Sequence, residues 1–169
     1  MSQITDFYSG DGTDTEGRSL EEILCQDLQW MEACHDYVQW LFPLQEPSNF
    51  NPDAPLLTTE DIELFQRVPL LRENFERSIE KMLYFLGFQE DEDGFYLANS
   101  FNKQKYTWFE FNHNALRITR FLTSMTLLGK ADTACRFLEF LKLIAVEREA
   151  KLSLDTLRYW DEALLMKPK

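Results

Sequence analysis

Glycine and proline are scarce in this chain, six of each in 169 residues. So few turn formers favour long regular elements over many short strands joined by tight turns. Histidine is scarcer still: His35 and His113 are the only two. No His-x-x-x-His pair exists, so no metal site is expected from local spacing. The three cysteines, Cys25, Cys34 and Cys135, are an odd set without a Cys-x-x-Cys pair. They point to a cytoplasmic protein with reduced, mostly buried thiols. No apolar run reaches the ~18 residues that a membrane span needs. The opening 17 residues are polar and acidic and hold no secretory h-region. Positive charge is also short, with 17 Lys and Arg against 29 Asp and Glu and a net charge of −12. Such a surface repels nucleic-acid phosphate and anionic lipid, which excludes nucleic acid as the expected partner.

What the chain does have is apolar and aromatic. Hydrophobic residues make up 44% and aromatics 14%, enough for one domain with a real core. Residues 1–17 carry no strong pattern and are expected to be flexible, with the domain proper at 18–165. The Asp11 to Gly17 stretch lacks the ligand spacing and closing Glu of a calcium loop and reads as a turn. Ser19 and Glu22 form a capping box ahead of Leu20, Ile23 and Leu24. Asp27 either caps a second helix running to about Leu41 or sits within one long helix. Met31, Cys34, Val38, Leu41 and Phe42 recur at helical spacing as one apolar face. Asp36 and Trp40 then fall on the opposite face, where an indole needs a cover from the fold, a partner or a ligand.

Residues 43–55 hold four prolines and read as an extended connector, with Phe50, Leu56 and Leu57 as its anchors. Thr58 opens a short helix to about Gln66. A longer one begins near Pro69, with Leu71, Phe75, Ile79, Met82, Leu83 and Leu86 as its stripe and Gly87 as its C-terminal cap. The acidic run Glu90 to Gly94 reads as a turn. Phe95-Tyr96-Leu97 and Tyr106-Thr107-Trp108-Phe109 are expected to pair as short strands. The next helix runs from about Asn112 to Gly129 with Ala115, Ile118, Phe121, Leu122, Met125 and Leu128 inward. Another runs from Asp132 to Arg148. A last one, capped by Ser153, holds Leu154, Leu157, Trp160 and Leu164. The sum is an all-α bundle of about six to seven helices with a long proline-rich connecting segment and one short β-hairpin.

Two segments carry more than packing. His35-Asp36-Tyr37-Val38-Gln39-Trp40-Leu41-Phe42-Pro43-Leu44 continues through Glu46 to Leu57. Asn112-His113-Asn114-Ala115-Leu116-Arg117-Ile118-Thr119-Arg120 is followed by Leu127-Leu128-Gly129. In order and spacing they resemble the conserved domain of the opioid growth factor receptor family. The resemblance runs from about Phe7 to Cys135, and more loosely to Trp160, without the repeats of animal members. It implies a helical domain of the short, stand-alone kind found in bacteria. In animal relatives it implies reception of an opioid peptide; the ligand of this chain stays open.

Independently, His113, Arg117, Arg120 and Ser124 share one face of their helix, away from its core stripe. Two arginines in the first half of a helix oppose its dipole and call for an anion. Asp36 is one source, through an Arg–carboxylate fork; an external carboxylate or phosphate is the other. The candidate ligand-binding set is therefore His35, Asp36, Trp40, Trp108, His113, Arg117 and Arg120. The expected role is non-catalytic binding of a peptide or protein segment in a cleft. Arg117 and Arg120 would take an anionic group, and Trp40 and Trp108 would give apolar contact. The alternatives are an unrecognised enzyme using His35, Asp36 and His113, or a structural or self-association module. No phosphate loop, nucleophile elbow or catalytic constellation is present, and no cofactor is expected.

Overall fold

The structure is a computed structural model and describes residues 2–101, 107–110 and 112–169. Nine helices and a single two-stranded sheet lie among the described residues, so the chain is mostly helical, as its apolar stripes require. It divides into two compact units, Met1–Lys81 with Pro168–Lys169, and Met82–Lys167.

The first unit begins with α1 (Gln3–Ser9), where residues 1–17 were expected to be flexible. Ser2 caps it by accepting from the Thr5 N–H at 3.2 Å. A seven-residue helix has little stability alone. Packing supplies it: Ile4, Phe7 and Tyr8 are wholly buried. The Tyr8 ring meets Phe65 at 5.0 Å and Phe75 at 6.1 Å. Its hydroxyl donates to the Leu41 carbonyl at 2.5 Å and to Ser78 at 3.2 Å. Burial pushes that phenol well above its ordinary pKa, so it stays a donor.

Next come α2 (Leu20–Leu24), α3 (Leu28–Ala33) and α4 (Val38–Leu41). The Ser19–Glu22 capping box forms as read, and Asp27 caps α3 by accepting from the Trp30 N–H. Neither expected continuation to Leu41 occurs, because the backbone breaks over residues 34–37. Two side chains satisfy the freed carbonyls. The Tyr37 hydroxyl donates to Met31 O at 3.1 Å and Asn51 Nδ2 to Asp36 O at 3.1 Å. Met31, Val38, Leu41 and Phe42 are buried as expected, but Cys34 is only half-buried. In the proline-rich connector Leu57 anchors, whereas Phe50 and Leu56 are exposed. α5 (Thr59–Arg67), with a Thr58–Asp61 capping box, and α6 (Pro69–Leu86) follow.

The second unit takes the end of α6, where Gly87 is left-handed at φ +98°. A Cβ there would lie 2.9 Å from Phe101 Cα, so only glycine fits the cap. The hairpin exists with a different partner from the one expected: β1 (Phe88–Asp91) pairs with β2 (Gly94–Leu97), Phe88 opposite Leu97. Glu90 and Asp91 thus belong to a strand. Their pairing is anchored by Phe88, whose ring sits 5.4 Å from Phe137 and 5.7 Å from Trp108. Tyr106 lies outside the described residues.

α7 (His113–Leu127), α8 (Ala131–Glu147) and α9 (Leu154–Ala163) complete the unit. All six expected core residues of α7 are buried. Trp160 is buried and donates to Ala115 O at 3.1 Å, while Leu154 is exposed rather than core. Cys25 and Cys135 are exposed, against the expectation of mostly buried thiols. No helix is long and apolar enough to cross a membrane, among the described residues.

Replacing Phe7 with alanine tests the ordering of α1. The cavity should cost about 3–5 kcal/mol, read as a lowered urea midpoint; an unchanged midpoint would return residues 1–17 to a loose tail.

Candidate functional site

In the first unit the sequence places one cation, Arg18, just before the α2 cap. Its guanidinium gathers four groups. Nε donates to Asp14 Oδ2 at 2.7 Å and Nη2 to Asp36 Oδ1 at 2.6 Å. Nη1 reaches Cys34 Sγ at 3.4 Å, and the plane lies over the Trp30 ring, 5.3 Å from its centroid. Asp14, its side chain fully buried, also accepts from the backbone N–H groups of Glu16 and Arg18 at 3.0 and 2.8 Å. Three donors satisfy that buried carboxylate.

Asp36 differs. Its side chain is 43% exposed, and its Oδ1 accepts from Arg18 and from Cys34 Sγ at 3.1 Å. Partial burial opposes its charge, but the Arg18 and Cys34 hydrogen bonds prevail and hold its pKa below the usual carboxylate range. Burial likewise raises the Cys34 thiol, and the neighbouring carboxylate adds to it, which keeps Cys34 a neutral donor rather than a nucleophile. His35 is exposed beside this carboxylate. Asn51 fixes the Asp36 carbonyl from the connector, and Gln39 reaches Ser48 Oγ at 3.4 Å.

Trp40 is covered by the fold itself. It is 4% exposed, packs 5.3 Å from Phe7 and donates to Thr15 Oγ1 at 3.2 Å.

In the second unit, Asn112 caps α7 by accepting from the Asn114 N–H at 2.8 Å, and donates to Thr107 O at 2.9 Å. His113 is exposed at the first position. Arg117 is 5% exposed, donates to Asn114 Oδ1 at 3.3 Å and lies over the Phe85 ring at 5.6 Å. Ser124 is fully buried. The face expected to point away from the core is therefore largely inside. Burial pushes the Arg120 pKa down to about 10, so it remains a cation at neutral pH. Trp108 is fully buried, with its indole N–H donating to Leu86 O at 3.0 Å.

The expected set thus falls into two groups: His35, Asp36 and Trp40 in the first unit, and Trp108, His113, Arg117 and Arg120 in the second. Asp36, expected as a counter-charge for the arginines of α7, serves Arg18. Among the described residues, no group of three or more His, Cys, Asp or Glu is placed to hold a metal. Reading the sequence missed Arg18 and Asp14, which lie in and just after the stretch taken for flexible. The available signal was an Asp four residues before an Arg, among turn formers and directly ahead of a helix cap.

Comparison with known proteins adds the following. A family model described as the opioid growth factor receptor conserved region matches residues 6–169. The opioid growth factor receptor of Rattus norvegicus is 37% identical over 119 residues, covering 67% of this chain and 20% of that protein. The Mus musculus receptor is 40% identical over 119 residues, covering 67% and 19%. An opioid growth factor receptor-like protein 1 of Xenopus tropicalis is 35% identical over 119 residues, covering 68% and 23%. The matches thus span about a fifth of the length of these relatives. No solved structure matches the chain.

The depressed Asp36 pKa fixes the sign of an acid effect. A carboxylate held low in the folded state adds stability above its unfolded value of about 4, and loses it as pH falls through the folded value. The stability gap between wild type and Asp36→Asn should be widest near pH 7 and close below about pH 4. Thermal melts across that range check it; a gap independent of pH contradicts it.

Proposed function

The chain belongs to the opioid growth factor receptor conserved-region family, and on that premise we propose that it binds a peptide or protein segment without catalysing a reaction on it. The observation that carries the reading is the face around Asp36. There an ionised, half-exposed carboxylate stands on a bonded scaffold of Arg18, Cys34 and Asn51, next to exposed His35 and the exposed Phe50 turn. A preorganised polar group beside apolar area is what peptide recognition uses. Relatives that bear the name of a receptor support the same role.

Burial redistributes the parts expected of this site. Trp40 and Trp108 are filled core, each with its N–H bonded internally. They hold the two segments in shape, and apolar contact falls to Phe50. Arg117, stacked on Phe85 and bonded to Asn114, steadies the start of α7. A cytoplasmic setting belongs to the same reading, supported by three cysteines that form no disulfide among the described residues.

Selection of a random peptide library against the immobilised chain tests it. Enriched peptides should bind saturably, with Kd of about micromolar for a small interface, and be recovered unmodified by mass spectrometry. A library without enrichment, or bound peptides returned cleaved or altered, contradicts the reading.

A further inference from the structure

We infer that the ligand segment is basic, with a Lys or Arg side chain set on Asp36 and an adjacent apolar side chain set on Phe50. This rests on the binding reading above and names the chemistry that the face selects.

The charges around Arg18 do not cancel. Asp14 spends its charge inside the fold, on Arg18 and two backbone N–H groups. One guanidinium therefore answers two carboxylates, and the surplus negative charge resides on Asp36. That carboxylate is the exposed one of the pair, and among the described residues its side-chain donors, Arg18 and Cys34, meet Oδ1. A ligand cation meets a preset carboxylate edge there, and Arg18 fixes its orientation.

A single exposed aromatic needs no explanation by itself. Phe50 has a second property: it stands on a turn pinned to Asp36. Its N–H donates to Ser48 Oγ at 3.2 Å. Asn51, the next residue and about 3.8 Å on along the chain, donates to the Asp36 carbonyl at 3.1 Å. The ring, 76% exposed, stands on a turn that Asn51 ties to the backbone of Asp36. An anchored aromatic next to an oriented charge is the composition of a small protein-recognition spot. Asp53, exposed in the same turn, adds charge of the same sign. That sign repels nucleic-acid phosphate and acidic lipid headgroups and suits a cationic segment of a protein.

The test is a titration of the 15N-labelled full chain with two end-capped decapeptides, one alternating lysine and leucine, the other with glutamate for lysine. The lysine peptide should move the amide signals of His35, Asp36, Phe50 and Asn51, and the glutamate peptide should move none. Asp36→Asn and Phe50→Ser should each weaken binding about tenfold; Phe50 is exposed, so its loss does not endanger folding. Shifts spread over the acidic surface, with affinities that ignore both substitutions, would overturn the inference. Library peptides that bind equally well to Asp36→Asn overturn it too, while leaving the binding reading in place. A chain that enriches no peptide and gives no shifts with the lysine probe brings down both.

Discussion

The guanidinium of Arg18 is the constraint on which the first unit's candidate binding face depends. It lies at the end of a turn with no regular structure, yet it joins Asp14 in that turn to Cys34 and Asp36 in the break between α3 and α4. A fully buried carboxylate such as Asp14 is tolerable only with donors around it, and removing its cation would leave an uncompensated charge. Arg18 suits the role better than lysine because its planar fork serves two carboxylates at once while its face stacks on Trp30. The same arrangement leaves the Asp36 carboxylate half-exposed. Structure and candidate recognition here share one interaction.

The helix break follows from that bond. A continuous helix over residues 28–41 would keep the apolar face in phase, and nothing in the spacing forbids it. The chain instead gives up hydrogen bonds at residues 34–37 and regains them from Tyr37 and Asn51. It thereby brings Asp36 to Arg18 and buries Trp40 against Phe7. Asp36 and Trp40, which would share a face on one helix, end with opposite fates: one is half-exposed, the other is core.

This contrast shows what could be read from the sequence and why. Period and caps are local properties, so the capping box at Ser19, the Gly87 terminus and the apolar core residues of α7 were legible. The hairpin was legible in kind but not in partner, because Phe88-Gln89-Glu90-Asp91 has no β-branched residue and its pairing rests on Phe88 meeting Phe137 and Trp108 far along the chain. α1 was too short to announce itself and exists through contacts with Phe65 and Phe75. Arg18 is a long-range partner, and single-sequence spacing carries no record of such partners. Conspicuous indoles in a family motif drew attention as contacts for a ligand, whereas burial of a Trp with a satisfied N–H is an ordinary way to fill a core.

The claim that Arg18 sets the state of Asp36 has a direct measurement: the pH titration of the Asp36 carboxyl carbon by NMR, in the wild-type chain and in Arg18→Met. The account predicts a midpoint below the ordinary carboxylate value of about 3.9 that moves upward when the guanidinium is removed. An ordinary midpoint that ignores the substitution would contradict it.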